Sequence, residues 1–528
     1  MEAVHPRPVR TAHRSLLVSL ITEGTFPFHH GGVAVWCDQI VRGLAPHRYQ
    51  IVAVTAGPDE EVQLALPDNV SELRLIPLWD INHRGRSTRV GRRMDPNLRD
   101  ALRTMLMAIA TNDAEHSFLA SLEQIYRTAA DGRFLDWLHT NDAVRLTLEA
   151  MCATTTDGRI RGDVPNPTIA DAVAVLGLFE HLLRPLAVAP PNVDLCHASS
   201  NGVSALLAMT AKWEHGTPLL LTEHGIYLRE RYIEYSPHSM MPHARRSFLL
   251  GFYKRITSAA YDMADAIAPC SDYNRRWEQA NGADLDKIKP IHNGIDPDEF
   301  GDTAAEPEAP TLVWVGRIDP LKDVKTLLRA FARVKAEIPG AVLRIYGGTP
   351  VGNERYLSEC LDLHELLGLG DSAVFEGHTK SMNKAYLSGH IVVATSISEG
   401  FPYAVLEAMA SGRAMIATDV GGVWEAIDSA GILVPPQDDE ALAKACIDLL
   451  RNPARRTQLA TMGRDRVRAR FMVDLCLERY SELYDDLVDA AATPATAGSD
   501  KVILNPVHGG PTTTTTAGDL AMATGGGE

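Results

Sequence analysis

The run Glu399-Gly400-Phe401-Pro402-Tyr403-Ala404-Val405-Leu406-Glu407 follows a short apolar stretch and opens a helical one, with an acid at each end. A helix start leaves backbone N–H groups unpaired, and these attract an anion. Gly400 permits close approach, and Pro402 suits a first turn, where its missing donor costs nothing. A phosphate fits such a place. Taken alone, the two acids have a plainer reading: Glu399 complements the helix dipole and Glu407 is a solvated or packing carboxylate.

A second candidate lies upstream. Gly316-Arg317-Ile318-Asp319-Pro320-Leu321-Lys322-Asp323 leaves one apolar run and precedes a helical pattern, which puts Arg317 and Lys322 at the edge where open α/β sheets bind ligands. A planar guanidinium and a compact ammonium together suit a diphosphate whose charge grows as a bond to it breaks. Surface pairing with Asp319 and Asp323 is the alternative. Gly347-Gly348 and Gly421-Gly422 add tight turns at the same edge. Neither GxxxxGK[ST] nor GxGxxG occurs, so P-loop and dinucleotide readings lose their support.

In the first half, Gly24-Thr25-Phe26-Pro27-Phe28-His29-His30-Gly31-Gly32 lies between an apolar run and a helix from Val33. The N–H groups of Gly31 and Gly32 could approach a diphosphate or sugar from the other side of a cleft; a loop without ligand is the alternative. Adjacent His29 and His30 have poor spacing for one metal and are expected in solvent. Thr222-Glu223-His224-Gly225-Ile226-Tyr227 follows Leu219–Leu221, placing His224 at the exit of a buried strand, as a structural or a catalytic histidine. Surface ion pairing accounts for Arg229-Glu230-Arg231.

Strands must carry these loops. Leu16–Ile21, Ile51–Thr55, Leu219–Thr222 and Ala266–Ala268 are continuously apolar, the pattern of parallel strands covered on both faces. From Thr311 strand and helix patterns alternate with short connections, which predicts a doubly wound α/β domain. The stretch 292–310 lacks periodicity and reads as a linker, with the boundary near 305. Residues 77–167 read as loop and helices inserted into the first sheet. From 491 the chain is rich in Ala, Thr, Pro and Gly and is expected to be disordered.

The chain as a whole has 528 residues, enough for two to four domains, and its 45% hydrophobic and 22% charged content is that of a folded globular protein. With 51 basic against 67 acidic residues the net charge is -16, which disfavours nucleic acid as a partner. Seven scattered cysteines without a CxxC pair fit neither a disulfide framework nor a zinc site, and a cytoplasmic location is expected. No apolar run is long enough to span a membrane, and the first 13 residues lack the core of an export signal. Two basic features offer a surface for anionic lipid or a membrane-bound partner. They are Arg84, Arg86, Arg89, Arg92, Arg93 and Arg99, and the residues Arg245, Arg246, Lys254 and Arg255 around Phe248–Phe252. A solvated loop and an ordinary amphipathic helix are the favoured readings of both.

The glycine loop, His224, Asn293-Gly294-Ile295-Asp296, the Arg317/Lys322 pair and the two glutamates match in order and spacing over roughly residues 15 to 485. Together they resemble the retaining glycosyltransferases of glycosyltransferase family four, which have the GT-B fold. Glu23-Gly24-Thr25-Phe26-Pro27-Phe28, Gly31-Gly32 and Glu223-His224-Gly225-Ile226-Tyr227-Leu228-Arg229-Glu230-Arg231 look like the PelF branch of exopolysaccharide glycosyltransferases. The resemblance implies an α/β protein of two Rossmann-like domains facing a central cleft. An acceptor-side domain would cover 14–305, with the insertion near 77–167, and a nucleotide-sugar domain 306–470. A helix at 471–490 would return to the first domain, ahead of the tail at 491–528.

It further implies retaining transfer of a sugar, with UDP-glucose as donor and a growing glycan as acceptor, by a cytoplasmic enzyme that works at the inner face of the membrane beside a polysaccharide synthase complex. Arg317 and Lys322 would hold the diphosphate, Glu399 with Gly400 and Phe401 the donor sugar, and Glu407 the ribose. His224 would lie beside the transferring sugar, with Gly31 and Gly32 on the diphosphate side. No cofactor or metal is implied, because cationic side chains and helix N-termini take over the stabilisation of the leaving group. Asp284-Leu285-Asp286 and Asp296-Pro297-Asp298 have DxD spelling but read as a polar turn and a linker. Two alternatives share this architecture: a sugar-nucleotide epimerase, and a non-catalytic component that senses the nucleotide sugar.

Overall fold

The computed structural model describes residues 14–29, 31–79, 94–111, 115–128, 134–156, 166–235, 240–301, 304–379 and 381–493. His30, the basic stretch from Arg84 to Arg93 and the tail from 494 lie outside the described residues.

The first half runs β1 (Leu17–Glu23), α1 (Gly32–Gly43), β2 (Arg48–Thr55) and β3 (Val70–Pro77), then a helical block. The block comprises α2 (Pro96–Ala110), α3 (Glu115–Thr128), α4 (Phe134–Trp137), α5 (Asn141–Thr156) and α6 (Ile169–Leu182), so it continues past 167. There follow β4 (Leu195–Ala198), α7 (Val203–His215), β5 (Leu219–Glu223), α8 (Tyr227–Glu234), α9 (His243–Met263), β6 (Ala266–Pro269) and α10 (Asp272–Ala280). The second half runs β7 (Thr311–Val315), α11 (Val324–Glu337), β8 (Val342–Tyr346), α12 (Glu354–Leu366), β9 (Ala373–Gly377), α13 (Met382–Leu387) and β10 (Ile391–Ala394). It continues with α14 (Tyr403–Ala410), β11 (Ala414–Thr418), α15 (Val423–Ile427), β12 (Ile432–Val434), α16 (Asp439–Arg451), α17 (Pro453–Arg470) and α18 (Val473–Ala492).

Two six-stranded parallel sheets result, in the orders β3-β2-β1-β4-β5-β6 and β12-β11-β10-β7-β8-β9. The continuous apolarity of the strands has the expected cause. Leu219 and Leu221 of β5 face the core under the helical block, while Leu220 faces the core under α1 and α18. In the second sheet Leu312 and Trp314 of β7 face one core and Val313 the other. Both faces are covered, so each position contributes burial, at about 1.5–3 kcal/mol for a fully buried Leu or Val.

Each sheet reverses its order once, between β1 and β4 in the first and between β7 and β10 in the second. Helices leave opposite faces at such a switch point, which opens a crevice beyond the strand ends. The loops that begin at Glu23, Ser199, Gly316 and Thr395 therefore line the two crevices.

The last helix returns to the first sheet. Leu477, Tyr480, Tyr484 and Leu487 of α18 are buried in the core that contains Val18, Leu20, Trp36 and Ile51. His197 of β4 ties this helix down, its Nδ1 2.8 Å from the Tyr484 hydroxyl and its Nε2 2.8 Å from Thr222 Oγ1. Gly43 lacks a Cβ because one there would lie 2.3 Å from Leu477. The chain crosses between the halves at Ile295 and again at Met472, and there the crossings bond to each other, Ile295 N donating to Phe471 O and Val473 N to Ile295 O, both at 2.9 Å. Among the described residues, no helix is long and apolar enough to cross a membrane.

Candidate active site

The second-half crevice is built from two loops stitched together. Asp319 caps the turn Pro320–Lys322, accepting from Leu321 N at 3.0 Å and Lys322 N at 3.3 Å, and Asp323, at φ +46°, caps α11 through Thr326 N. Ile397 N donates to Leu321 O at 2.7 Å, and Thr395 Oγ1 to Lys322 O at 2.8 Å. The consequence is a direct ion pair between the Lys322 ammonium and the Glu399 carboxylate, which also accepts from Ser396 Oγ at 2.5 Å. Arg317 stands apart from that pair. It lies 3.4 Å from Asp319 and its side chain is 61% exposed, so it can reach a ligand at the mouth of the crevice.

Two glycines let the loops come this close. A Cβ on Gly347, at φ +145°, would lie 1.7 Å from Gly316 O, and one on Gly421, at φ +58°, would lie 1.7 Å from Glu399 O. Pro402 occupies the N-cap of α14, one residue earlier than a first-turn position and equally free of any need for a donor. Glu407, one turn further on, accepts from the Tyr386 hydroxyl at 2.7 Å, and burial raises its pKa. Glu299, in the linker, feels Glu407 and Asp296 and is pushed up by burial to about 7.

From the first half, His224 leaves β5 with its ring edge against Trp36, centroids 4.7 Å apart. Burial depresses its pKa to about 4, so the imidazole is neutral at pH 7, and its Nε2 is buried without a hydrogen-bond partner. The helix α1 begins at Gly32 with no side-chain cap. A Cβ on Gly32 would sit 3.6 Å from Tyr403, and one on Gly31 would meet nothing within 4 Å. The N-termini of α1 and α14 thus converge on one space.

The structure therefore brings His224, Gly31, Gly32, Lys322, Glu399 and Gly400 together, with Arg317 exposed beside them; the Phe401 ring is instead buried against His292 and Phe471, and Glu407 on α14 is turned to Tyr386. Contacts between the halves hold them there. Tyr403 Oη donates to Gln39 at 2.9 Å, Gln39 to Gly294 O at 3.2 Å, and Asn293 Nδ2 to Phe401 O at 3.0 Å. Surface pairing does not describe Arg229: it donates to Ser398 Oγ across the cleft at 2.9 Å, because the exits of β5 and β10 face each other. Arg231 does pair with Glu234, at 2.6 Å, but its guanidinium also lies over the Tyr227 ring, 4.8 Å from its centroid. Nothing in the spacing of the Arg-Glu-Arg run reveals either contact.

Glu425 of α15 was equally silent in the sequence. Its carboxylate accepts from Asp272 N at 2.8 Å and Tyr273 N at 2.6 Å, at the start of α10, and lies 3.0 Å from His292 Nε2. Asp272, His292 and Glu425 have their ligand atoms within 4.8 Å of one another. A carboxylate saturated by two amides and an imidazole at a helix N-terminus is the arrangement of an anion clasp rather than of a cation site. The two DxD spellings serve as turn caps, Asp284 accepting from Asp286 N and Asp296 from Asp298 N.

Comparison with known proteins bears on this geometry. Residues 309–452 match the family described as "Glycosyl transferases group 1". The exopolysaccharide phosphotransferase SCO2592 of Streptomyces coelicolor is 29% identical over 253 residues, 47% of this chain and 26% of that protein. The D-inositol 3-phosphate glycosyltransferase 2 of Catenulispora acidiphila is 32% identical over 298 residues, 53% of this chain and 66% of that protein. The chain thus spans about a quarter of the first relative's length and just under two thirds of the second's. Among solved structures, Anabaena Alr3699/HepE in complex with UDP superposes with a TM-score of 0.58 at 14% identity, over 89% of this chain and 100% of that one. A complex of the same protein with UDP-glucose superposes similarly, with a TM-score of 0.57. These likenesses and the two facing sheets show the GT-B fold. Residues 16–286, more than half of the chain, match the family described as "Domain of unknown function (DUF3492)", and the protein belongs to that family.

Proposed function

We propose that this protein is a retaining glycosyltransferase of the family-four, PelF-like kind, moving glucose from UDP-glucose to a growing glycan in exopolysaccharide synthesis. The observation that carries the reading is the convergence of two switch-point crevices, one bearing His224 and the other the Lys322–Glu399 loop, on the N-termini of α1 and α14. The group 1 match over the second half, the UDP and UDP-glucose held by the structural neighbour and the name of the Streptomyces relative support it.

In this reading the second half, 306–470, takes the nucleotide sugar and the first half, 14–305, presents the acceptor. The helix at 471–490 closes the first half. Arg317 and Lys322 meet the diphosphate together with the amides of Gly31, Gly32 and the start of α14. A diphosphate that takes the charge of Lys322 releases the Glu399 carboxylate to accept from sugar hydroxyls beside Gly400 and Phe401. Glu407 receives the ribose hydroxyls. Neutral His224 offers a hydrogen bond to the transferring sugar without adding charge next to an oxocarbenium-like centre. The acceptor hydroxyl attacks on the face from which UDP departs and gives its proton to the leaving phosphate, so the configuration is retained. Stabilisation of the leaving group rests on protein cations and helix termini, without a metal. The acidic surface excludes nucleic acid, and work at the inner membrane face beside a synthase complex completes the proposal.

Calorimetry with UDP-glucose and other nucleotide sugars tests the donor site, and NMR of the anomeric product tests the stereochemistry. Failure to bind any nucleotide sugar defeats the reading. An isomerised donor without transfer would point instead to an epimerase, and turnover that collapses with chelator would overturn the metal-free mechanism.

A further inference from the structure

Behind His224 two carboxyl groups meet in the interior. Glu223, the last residue of β5, is 1% exposed, and Glu278 of α10 is wholly buried. Three elements converge on Glu223. Tyr261 of α9 donates its hydroxyl to Oε2 at 2.5 Å, Tyr227 N at the start of α8 donates to Oε1 at 3.3 Å, and Asn274 Nδ2 of α10 donates to the Glu223 carbonyl at 3.3 Å. Glu278 finds no N–H or O–H donor for either oxygen; it stands one turn along α10 from Asn274, which holds the Glu223 carbonyl, so Glu223 is its electrostatic neighbour.

Two ionised carboxylates side by side in the interior, with no donor for one of them, are electrostatically untenable. A proton between them turns the repulsion into a charge-assisted hydrogen bond. The other titratable groups facing this pair do not supply a positive charge: Tyr261 from α9, Glu230 from α8 and the Cys270 thiol at the exit of β6. Burial and the neighbouring Glu223 carboxyl hold Glu278 well above the usual carboxylate range, and burial raises Glu223 too.

We propose that Glu223 and Glu278 share one proton, donated from Glu278 to Glu223, and that this pair is the positioning device for the His224 turn and the start of α8. The inference rests on the transfer reading of the cleft. Glu223 immediately precedes His224, whose carbonyl accepts from Cys270 Sγ at 3.2 Å, and its carboxyl holds the first amide of α8. Through α8 it sets Arg229, which reaches Ser398. Gly202, at φ +84°, has no Cβ because Tyr227 fills that space, so the start of α8 has a single seat. Neither glutamate touches substrate. They act through His224 and Arg229.

The test compares Glu278→Gln with Glu278→Ala in the full chain. Infrared difference spectra of native protein against Glu278→Gln at neutral pH are expected to show the carbonyl stretch of a protonated carboxyl in the native protein alone. The glutamine Nε2 replaces the O–H donor without a titratable proton. Its kcat and donor KM are therefore expected within about twofold of native, while the alkaline fall in native kcat moves or vanishes. Glu278→Ala leaves Glu223 short of one donor, so kcat drops roughly tenfold with donor KM unchanged, and Gln at 278 rescues it. Absence of the infrared band, or a Gln variant with the native alkaline limb, overturns the pair. If the native chain turns over no nucleotide sugar, the transfer reading fails, and the infrared band still decides the shared proton.

Discussion

A Cβ built on Gly400 would lie 1.6 Å from the His224 carbonyl oxygen, so the two halves of the molecule touch backbone to backbone at the centre of the cleft. No rotamer change relieves a clash with a carbonyl. Gly400→Ala is expected to separate the β5 exit from the Glu399 loop, costing about 1–3 kcal/mol of the closed arrangement and lowering kcat/KM roughly ten- to a hundredfold. Steady-state kinetics beside small-angle scattering checks this. A fully active alanine variant would show that the contact does not govern turnover.

The Lys322–Glu399 pair separates binding from chemistry. Lys322→Ala removes a cation from the diphosphate and is expected to weaken UDP binding by about 1.5–3 kcal/mol, the range for a hydrogen bond to a charged group. Glu399→Gln removes the competitor for Lys322, so UDP affinity holds or improves while kcat for transfer falls. Calorimetry with UDP alone and assays with the sugar donor distinguish the two. Loss of UDP affinity in the glutamine variant would contradict the roles assigned.

Glu425 spans the halves with one carboxylate on two amides and an imidazole. Glu425→Ala leaves all three donors without this acceptor, an expected cost of about 1–3 kcal/mol, and loosens α10 from α15. A larger radius of gyration and a raised donor KM should accompany it. Unchanged scattering and KM would mean that the linker crossings at Ile295 and Met472 hold the halves together without it.

Two buried histidines of the first half should lose their stabilising contribution in acid. Burial lowers His224 to about 4 and His197 to about 3 from 6.5. Between those values and 6.5 each of these two histidines binds more protons in the unfolded chain than in the folded one, so its own contribution is complete above about pH 6.5 and falls as pH drops toward 4 and then 3, while buried Glu223 and Glu278, whose pKa values are raised, contribute in the opposite direction. Each histidine contributes a slope of up to ~1.4 kcal/mol per pH unit in its window. Chemical denaturation from pH 7.5 down to 4.5 measures it. The stability difference between native protein and His197→Asn should shrink as pH drops through this window, and a difference independent of pH would refute the assignment.

Much of the site was readable as local pattern. Continuous apolar runs announced strands covered on both faces, and the stretches 316–323 and 399–407 announced loops at strand exits, because strand and helix periodicity are properties of neighbouring residues. Lys322 and Glu399 were each visible; their mutual ion pair was not, since it depends on β10 lying next to β7 in the sheet order.

By itself, then, the chain determined its alternation of strands and helices, the apolar faces that pair them and the turns where glycine is required. Tertiary structure alone decided that Arg229 reaches Ser398, 169 residues away, that Glu425 clasps the start of α10, and that Glu278 on a polar helix is wholly buried against Glu223. Local sequence sets backbone preference within a few residues, whereas which polar groups lose water is settled only when distant strand ends are brought face to face.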